Sequence, residues 1–314
     1  MSTVGSIESE YAALTGSCGL LDQSERGKLA LAGSEAKSFL QGQVTNDTES
    51  LAEGRGCYAA FLTPKGKMLG DLRILDAGGE LLLDTERVAL QELFNMIRRF
   101  SIGYQVELHK RTLESGLFSL IGPRADVVAE AAFGVLPGGT EHDHVVAAEV
   151  RLIRTDGGID LLFDSDQADE VRQAANGAGA EPVSVAAAEC LRIEHGRPRY
   201  GIDLDDGVIP QEAGLNDRAV SFTKGCYVGQ ETVARLYYRG KPNRHLRGLR
   251  SEAPLEPGTE LLYEDRVAGR VTSVAVSPRL GPIALGFVRR EVPVGATMKA
   301  GETGSAEVVE LPFA

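Results

Sequence analysis

The chain has 314 residues, with 33 Lys and Arg against 45 Asp and Glu, and a formal net charge of −12 at pH 7. A protein of this charge is repelled by phosphate backbones, which argues against one that coats nucleic acid. The hydrophobic fraction of 43% and the absence of Trp indicate a globular protein of about two domains with an aliphatic core. No apolar run approaches the roughly 18 residues that span a bilayer, so we expect no membrane segment.

The N-terminal segment and the cysteines favour a cytoplasmic protein with reduced thiols. Residues 1–11 contain two acidic residues and no basic residue, and they precede no apolar run, unlike a signal peptide. The four cysteines are 39, 133 and 36 positions apart: Cys18, Cys57, Cys190 and Cys226. This spacing predicts neither a CxxC metal site nor a dense disulfide framework.

The first half of the chain is predicted to consist mainly of strands. Alternating or apolar runs bounded by turns predict strands at 28–32, 57–62, 67–75, 80–84, 105–109 and 116–121. Asp84 and Thr85 then occupy the N-cap position of a predicted helix that ends at Phe100. This helix has the clearest amphipathic pattern in the chain, with apolar residues at Leu90, Leu93, Phe94 and Ile97.

The second half is predicted to contain three helices and a C-terminal β-domain. We predict strands at 144–155 and 159–164, an ordered loop at 198–216, and helices at 167–176, 184–195 and 230–239. After Pro242, short alternating runs predict a small β-barrel or sandwich, at 260–263, 267–276, 283–288 and 306–311. We therefore divide the chain into a body of residues 1–245 and a C-terminal domain of residues 246–314.

An octapeptide gives the strongest signal for chemistry. In it, two glycines surround a thiol ahead of a predicted helix: Lys224, Gly225, Cys226, Tyr227, Val228, Gly229, Gln230 and Glu231. The glycines expose Cys226, and both Lys224 and the helix N-terminus favour its thiolate, so we expect a reactive thiol. The alternative is a small buried residue that packs the turn, and the residues alone leave both possibilities open.

The segment around this octapeptide is basic in an otherwise acidic protein. Residues 222–250 hold a single acidic residue and seven basic ones: Lys224, Arg235, Arg239, Lys241, Arg244, Arg247 and Arg250. Such a run is commonly a solvated face, but the contrast in sign also suits an anionic ligand such as a polycarboxylate tail or RNA. Few aromatic residues lie among the cations, so base stacking has weak support and direct nucleic-acid binding is not expected.

Two carboxylates occupy positions that carboxylates usually avoid. Glu194 lies in the last turn of its predicted helix, near the negative end of the helix dipole. Either neighbouring Arg and His residues offset this cost, or the carboxylate binds paired N–H donors on a heterocycle. Asp71 lies inside a predicted strand, where Asp is depleted. An exposed edge position is a more common explanation for such an Asp than a role as catalytic base.

His142 and His144 could bind a metal ion only with further ligands. The sequence suggests none nearby, so we assign both residues to a loop.

The octapeptide KGCYVGQE at 224–231 resembles the motif of the YgfZ-type folate-binding proteins, which are relatives of the glycine-cleavage T-protein, an aminomethyltransferase. Four further segments resemble the same superfamily: 21–47, 57–75, 189–204 and 209–217. The resemblance implies an α+β fold, with a folate-binding body of two interleaved lobes around a central channel and a small C-terminal β-barrel. It also implies that the channel binds tetrahydrofolate.

The resemblance implies roles for particular residues. Glu194 matches the Glu that holds the pterin ring, and Asp71 matches the Asp that faces the folate nitrogens in the T-protein. A carboxylate can accept two parallel N–H bonds from a pterin, as it does from a guanidinium. Cys226 stands where the T-protein has an acidic and aromatic turn. The expected catalytic residues are Cys226 and Asp71, and the expected cofactor-binding residues are Glu194, Asp71, Lys224 and Arg235.

By this resemblance, we expect a tetrahydrofolate-binding accessory factor for the assembly or repair of iron–sulfur clusters, which supports tRNA modification indirectly. Its partners are expected to be iron–sulfur proteins or their assembly factors, bound transiently. One alternative is a folate-dependent aminomethyl or one-carbon transferase. A second is an RNA-binding protein that uses residues 222–250. We further expect Arg235, Arg239 and Lys241 to favour polyglutamylated folate.

Overall fold

The computed structural model of the chain describes residues 6–314, so part of the acidic N-terminal segment lies outside the described residues. The first half forms α1 (Ile7–Gly16), β1 (Gly19–Asp22), β2 (Gly27–Ala32), α2 (Ala36–Gln41), β3 (Gly56–Leu62), β4 (Met68–Asp76), β5 (Glu80–Thr85), α3 (Leu90–Phe100), β6 (Glu107–Lys110), β7 (Ser115–Ile121) and α4 (Ala125–Phe133). The second half forms β8 (His144–Ala147), β9 (Val150–Arg154), β10 (Gly158–Asp164), α5 (Ala168–Gly177), β11 (Glu181–Pro182), α6 (Val185–Glu194), α7 (Asn216–Ala219), α8 (Gln230–Arg239), β12 (Arg244–Ser251), β13 (Glu260–Tyr263), β14 (Arg266–Ser277), β15 (Gly281–Arg289), β16 (Thr297–Ala300) and β17 (Gly304–Val309). None of the helices in residues 6–314 has both the length and the apolar character needed to cross a bilayer.

The body contains two sheets that share the chain in an interleaved order. One sheet has six strands in the order β11-β1-β7-β10-β9-β8, and the other has five in the order β3-β4-β5-β2-β6. The chain therefore begins in the six-stranded sheet, builds the whole five-stranded sheet, and then returns to the first. This arrangement confirms the expected α+β body of two interleaved lobes.

Each sheet buries one face against helices and turns the other face towards its partner sheet. The six-stranded sheet packs Leu120 and Ile159 against α4 and α5, and the five-stranded sheet packs Leu72 and Ile74 against α2 and α3. Because side chains alternate along a strand, the residues between these positions point to the other face. The inner faces therefore carry the polar members of the same strands, among them Asp71 on β4.

The C-terminal strands form a closed barrel in the order β12-β15-β14-β13-β16-β17, which confirms the expected β-barrel. An apolar cluster joins barrel and body, and in it Phe287 and Phe313 pack with Ile193 of α6. The backbone N–H of Phe313 also donates to the carbonyl oxygen of Glu194 at 2.9 Å. The barrel therefore supports α6, which borders the site described below.

The structure differs from the sequence predictions at several places, among them the strands β1, β11, β12 and β16 and the helix α7, which the sequence patterns do not predict. The helices α1 and α4 were not predicted; their buried apolar residues include several alanines, which weaken the helical pattern. The predicted strand at 144–155 is a hairpin, with Ala148 and Glu149 in left-handed conformations at its turn. Asp84 does not cap α3, because its carboxylate pairs instead with Arg26 and Arg73.

Candidate functional site

A cavity of about 310 Å³ lies between the inner faces of the two sheets. The helix α6 and the loop that follows it border one side, and the turn at 155–157 borders another. Seven Asp and Glu residues line the cavity together with six arginines: Arg26, Arg73, Arg192, Arg197, Arg199 and Arg218. The near balance of charge suits a polar ligand better than a strongly charged one.

Asp71 lies in this cavity and not at an exposed edge. Its strand β4 pairs with β3 on one side and with β5 on the other, and its side chain is buried. The hydroxyl of Tyr58 donates to Oδ2 of Asp71 at 2.6 Å. Burial raises the pKa of Asp71 to about 6, although this hydrogen bond and the charge of Arg26 oppose the shift. Asp71 is therefore able to exchange a proton near neutral pH.

Ion pairs hold the cavity's charged groups in place. The guanidinium of Arg73 bridges the two sheets, at 2.8 Å from Asp84 and 2.6 Å from Asp160. Arg192 of α6 pairs with Glu189 at 2.9 Å and with Asp203 at 2.8 Å. Buried charges remain ionised only when they are paired in this way, so the cavity wall is a preorganised polar surface.

Glu194 is not among the residues that line the cavity, and its expected role in holding a pterin ring stays a prediction. The residues of α6 that line the cavity include Leu191, Arg192 and His195, whereas Glu194 faces α1 and the end of β14. Its carboxylate accepts hydrogen bonds from the hydroxyls of Tyr11, at 2.9 Å, and Ser277, and it lies 3.3 Å from Nη2 of Arg279. These donors, rather than its neighbours in α6, offset the unfavourable helix dipole.

His142 lies in a turn, as predicted, and it also lines the cavity. It is buried, adopts a left-handed conformation with φ of 72°, and lines the cavity. Neither of its ring nitrogens has a hydrogen-bond partner within residues 6–314. Burial lowers its pKa to about 3, and the charges of Arg73 and Arg218 act in the same direction, so the ring is neutral. No local pattern marks His142, because its position depends on a loop that packs between two lobes.

The octapeptide lies outside the cavity lining, with the side chain of Cys226 exposed. The ammonium of Lys224 donates to the carbonyl oxygens of Gln41, Val44 and Asn46 at 2.7, 2.7 and 2.8 Å. These bonds use all three of its N–H donors, and burial lowers its pKa to about 8. Lys224 therefore anchors the loop to the end of α2 and has no donor left for the thiol.

Glycine is required at one end of this loop. Gly229 precedes α8 with φ of 85°, and a Cβ there would lie 2.5 Å from the carbonyl oxygen of Thr63. The turn that presents Cys226 therefore depends on the close approach of the Gly229 backbone to Thr63.

In the described part of the chain, no three His, Cys, Asp or Glu side chains are grouped as metal ligands.

The seven basic residues of 222–250 do not form one continuous face. Arg244 lies 3.2 Å from Glu212, and Arg247 lies 3.2 Å from Glu310. Arg235, Arg239 and Lys241, on α8 or just after it, are exposed and make no ion pair with any described residue. None of these three lines the cavity. The structure therefore separates Arg235 from Asp71, with which it was grouped as a cofactor-binding residue.

Two family models and several relatives match the chain. Residues 2–224 match the GCVT N-terminal domain, and residues 244–314 match the glycine cleavage T-protein C-terminal barrel domain. A chloroplastic protein of Arabidopsis thaliana, named as a candidate transferase, is 30% identical over 94% of this chain and 71% of its own length. An aminomethyltransferase of Rubrobacter xylanophilus is 29% identical over 98% of this chain and 86% of its own length.

A solved structure agrees with these matches at the level of the fold. The glycine cleavage system aminomethyltransferase T of Bartonella henselae superposes with a TM-score of 0.89, at 24% identity. The superposition covers 98% of this chain and 89% of that protein. Because both domain models match in order and the curated relatives align along nearly the whole chain, the chain belongs to the glycine cleavage T-protein family.

Proposed function

We propose that this protein binds tetrahydrofolate in the cavity between its sheets and acts as an accessory factor for iron–sulfur proteins. The observation that carries the folate assignment is the Asp71 carboxylate, which Tyr58 holds inside a cavity lined by paired charged side chains.

A reduced pterin fits this polar lining, because its ring edge carries both N–H donors and carbonyl acceptors. Asp71 would contact the ring, and the Tyr58 hydroxyl holds the Asp71 carboxylate in position. When bound, tetrahydrofolate would supply one-carbon chemistry at its N5 and N10 nitrogens. The protein contributes a group at Asp71 that exchanges a proton near pH 6.

The accessory role rests on Cys226. Its thiol is exposed on a loop that Lys224 anchors firmly and that lies outside the cavity lining. A thiol in this position can reach a partner protein while the cavity holds its ligand. Contact with a cluster protein would be transient, because no second cysteine is close to Cys226 in sequence.

A folate-dependent aminomethyl transferase is the second candidate. Two observations favour it: the buried Asp71 with its raised pKa, and the relatives that are named as aminomethyltransferases. Release of ammonia from a lipoyl-carried aminomethyl group in the presence of tetrahydrofolate would decide in favour of this activity.

The test combines binding with complementation. Calorimetric titration with 5-formyltetrahydrofolate is expected to show saturable binding, and the ligand should raise the melting temperature. In a strain that lacks the gene, Cys226→Ala should fail to restore the activity of iron–sulfur enzymes, while Thr223→Ala, an exposed control in the same loop, should restore it. Absence of folate binding would reject the first half of the proposal, and full rescue by Cys226→Ala would reject the second.

A further inference from the structure

A second cavity, of about 350 Å³, lies between the same two sheets. Arg73 and Asp84 line both cavities, whereas Asp71 lines only the first and Arg151 only the second. The guanidinium of Arg73 is held by Asp84 in its own sheet and by Asp160 in the other sheet. These ion pairs therefore stand between the two spaces, and the proposed folate site leaves the second cavity unused.

Aliphatic side chains from both sheets form the walls of the second cavity. Leu75 of β4 lies beside Leu82 of β5 in one sheet, and Leu117 of β7 lies beside Leu162 of β10 in the other. Leu82 and Leu162 are only half-buried, although both lie on faces that are turned towards the opposite sheet. An aliphatic group that enters between these two rows would remove apolar surface from water.

The side chain of Arg151 points into the second cavity. It is paired in register with Leu162, so it continues the row of leucines across the six-stranded sheet. Its neighbours Val150 and Leu152 belong to the apolar core on the other face of this sheet. Because side chains alternate along a strand, Arg151 faces the cavity.

The guanidinium of Arg151 has no acidic partner. Nη1 of Arg151 donates to Nδ1 of His144 at 2.8 Å, since a guanidinium can only donate. Within residues 6–314 this is its one hydrogen bond, and it forms no ion pair there. The side chain is half-buried, and burial lowers its pKa. Most of its N–H donors therefore remain available to a negatively charged ligand group.

The remaining cations of the second cavity already have partners. Arg111 lies 2.9 Å from Glu114 and 3.7 Å from Glu80. The ammonium of Lys28 donates to two backbone carbonyl oxygens, at 2.8 and 3.0 Å. Arg151 is therefore the cation of this cavity at which a ligand's negative charge is best placed.

Two further carboxylates lie at the mouth of the second cavity. Glu149 and Asp164 are both exposed, and Oε2 of Glu149 accepts a hydrogen bond from Nε2 of Gln167 at 3.0 Å. Their charges are solvated and screened by salt. They oppose an anion at the half-buried Arg151 less than a buried carboxylate would.

We infer that the second cavity binds a small aliphatic carboxylate, whose chain lies between the two rows of leucines and whose carboxylate pairs with Arg151. A carboxylate can accept two parallel N–H bonds from one guanidinium. This inference goes beyond the proposed function, because it assigns a separate ligand to a separate cavity. The two ligands can bind at the same time, since the ion pairs of Arg73 stand between them.

The test uses octanoate, below its micelle concentration, as the probe. Calorimetric titration of the wild-type protein is expected to show saturable binding. 1-Octanol keeps the chain without the charge, and acetate keeps the charge without the chain, so each should bind more weakly than octanoate by about tenfold or more. Arg151→Met should weaken octanoate binding by about tenfold or more and leave 1-octanol binding unchanged.

Two variants control for non-specific effects. Arg154→Met is the matched control, because Arg154 lies on the same strand β9, faces the opposite side and pairs with Asp126. It should bind octanoate with the wild-type affinity. Arg151→Lys keeps the positive charge and should retain part of the affinity that Arg151→Met loses. Melting temperatures of the three variants show that each is folded.

Repeating the octanoate titration in saturating 5-formyltetrahydrofolate tests the separation of the two cavities, and the octanoate affinity should not change. Displacement of octanoate by the folate would place both in the first cavity and overturn this inference. So would the absence of octanoate binding, equal affinities for wild type and Arg151→Met, or equal losses in Arg151→Met and Arg154→Met. None of these results would affect the folate proposal. A protein that binds octanoate through Arg151 but binds no folate would reject the folate proposal alone.

Discussion

Asp71 is a buried carboxyl whose protonation is coupled to folding. Its side chain lies inside the cavity against Tyr58, and burial raises its pKa from 3.8 to about 6. The native state therefore holds a proton between about pH 4 and pH 6 that the unfolded state has lost. Under this condition the free energy of unfolding decreases as pH rises, and Asp71 destabilises the folded protein above its native pKa.

Asp71→Asn is expected to remove this pH dependence. A shift of about two units corresponds to about 3 kcal/mol, so the wild type should lose that much unfolding free energy relative to the variant between pH 4 and pH 6.5. Urea unfolding of both proteins across this range measures the difference. A constant difference over the whole range would show that Asp71 titrates near its ordinary pKa.

The four thiols differ in exposure, and their reactivity should follow it. Cys226 is exposed, whereas burial raises the pKa of Cys18 to about 11, that of Cys57 to about 12, and that of Cys190 as well. At pH 7.5 iodoacetamide should therefore label Cys226 first, as the thiolate is the nucleophile. Peptide mapping at short times identifies the labelled residue, and faster labelling of any other cysteine would contradict this expectation.

At the scale of elements, Glu194 joins three parts of the fold. It accepts hydrogen bonds from Tyr11 of α1 and Ser277 of β14, and its own helix α6 borders the cavity on another face. A buried carboxylate with such donors stabilises the junction. This arrangement explains its place at the end of a helix without requiring contact with a ligand.

Glu194→Gln should therefore lower stability and spare folate binding. The neutral amide loses a charged hydrogen bond, which costs roughly 1.5–3 kcal/mol, and denaturant unfolding measures this loss. Titration with 5-formyltetrahydrofolate is expected to give the wild-type affinity. Weakened binding at unchanged stability would instead restore the pterin-binding role that the family resemblance implies.

Within residues 6–314, three exposed cations of the basic segment make no ion pair, and they lie on the helix α8 and at Lys241, two residues beyond its end. Arg235, Arg239 and Lys241 are expected to favour polyglutamylated over monoglutamylated folate, by about 0.2–1 kcal/mol for each pair formed, and salt should remove the preference. Replacing all three with Gln should abolish it, while Arg98→Gln with Arg99→Gln on α3 should not. Equal affinities for short and long tails at low salt would identify α8 as a solvated face.

At the scale of the whole molecule, the body and the barrel share one apolar cluster. Ile193 and Leu204 of the body pack with Leu246, Phe287 and Phe313 of the C-terminal part. Arg192 adds a polar link, since it pairs with Asp203 and donates to Ser273 of β14 at 2.7 Å. If the body and the barrel separated, the apolar residues of this cluster would be exposed to water in both parts.

We therefore expect a single thermal transition for the two parts. Calorimetry should give equal calorimetric and van't Hoff enthalpies. Phe313→Ala, which removes a buried ring at the junction, should destabilise the protein by about 3–5 kcal/mol and still leave one transition. Two transitions in the wild-type protein would show that body and barrel unfold independently.

The sequence by itself determined most of the elements, because local spacing encodes them. The helices α3 and α6 and four of the six barrel strands, β13, β14, β15 and β17, follow from periodicity and from the glycines and prolines between the elements. The family resemblance added their arrangement into interleaved lobes. These features depend on contacts between residues that are close in the chain or on patterns shared with relatives.

Only the tertiary structure decided which polar residues share a site. Asp71 is buried because β4 lies between two other strands, and His142 reaches the cavity because its loop packs between the lobes. Glu194 contacts Tyr11 and Ser277 because α1 and β14 pack against that face of α6. Period-two and period-3.6 patterns show which residues share a face. They do not show which face meets another sheet, a helix or an enclosed cavity, since that depends on packing between distant segments.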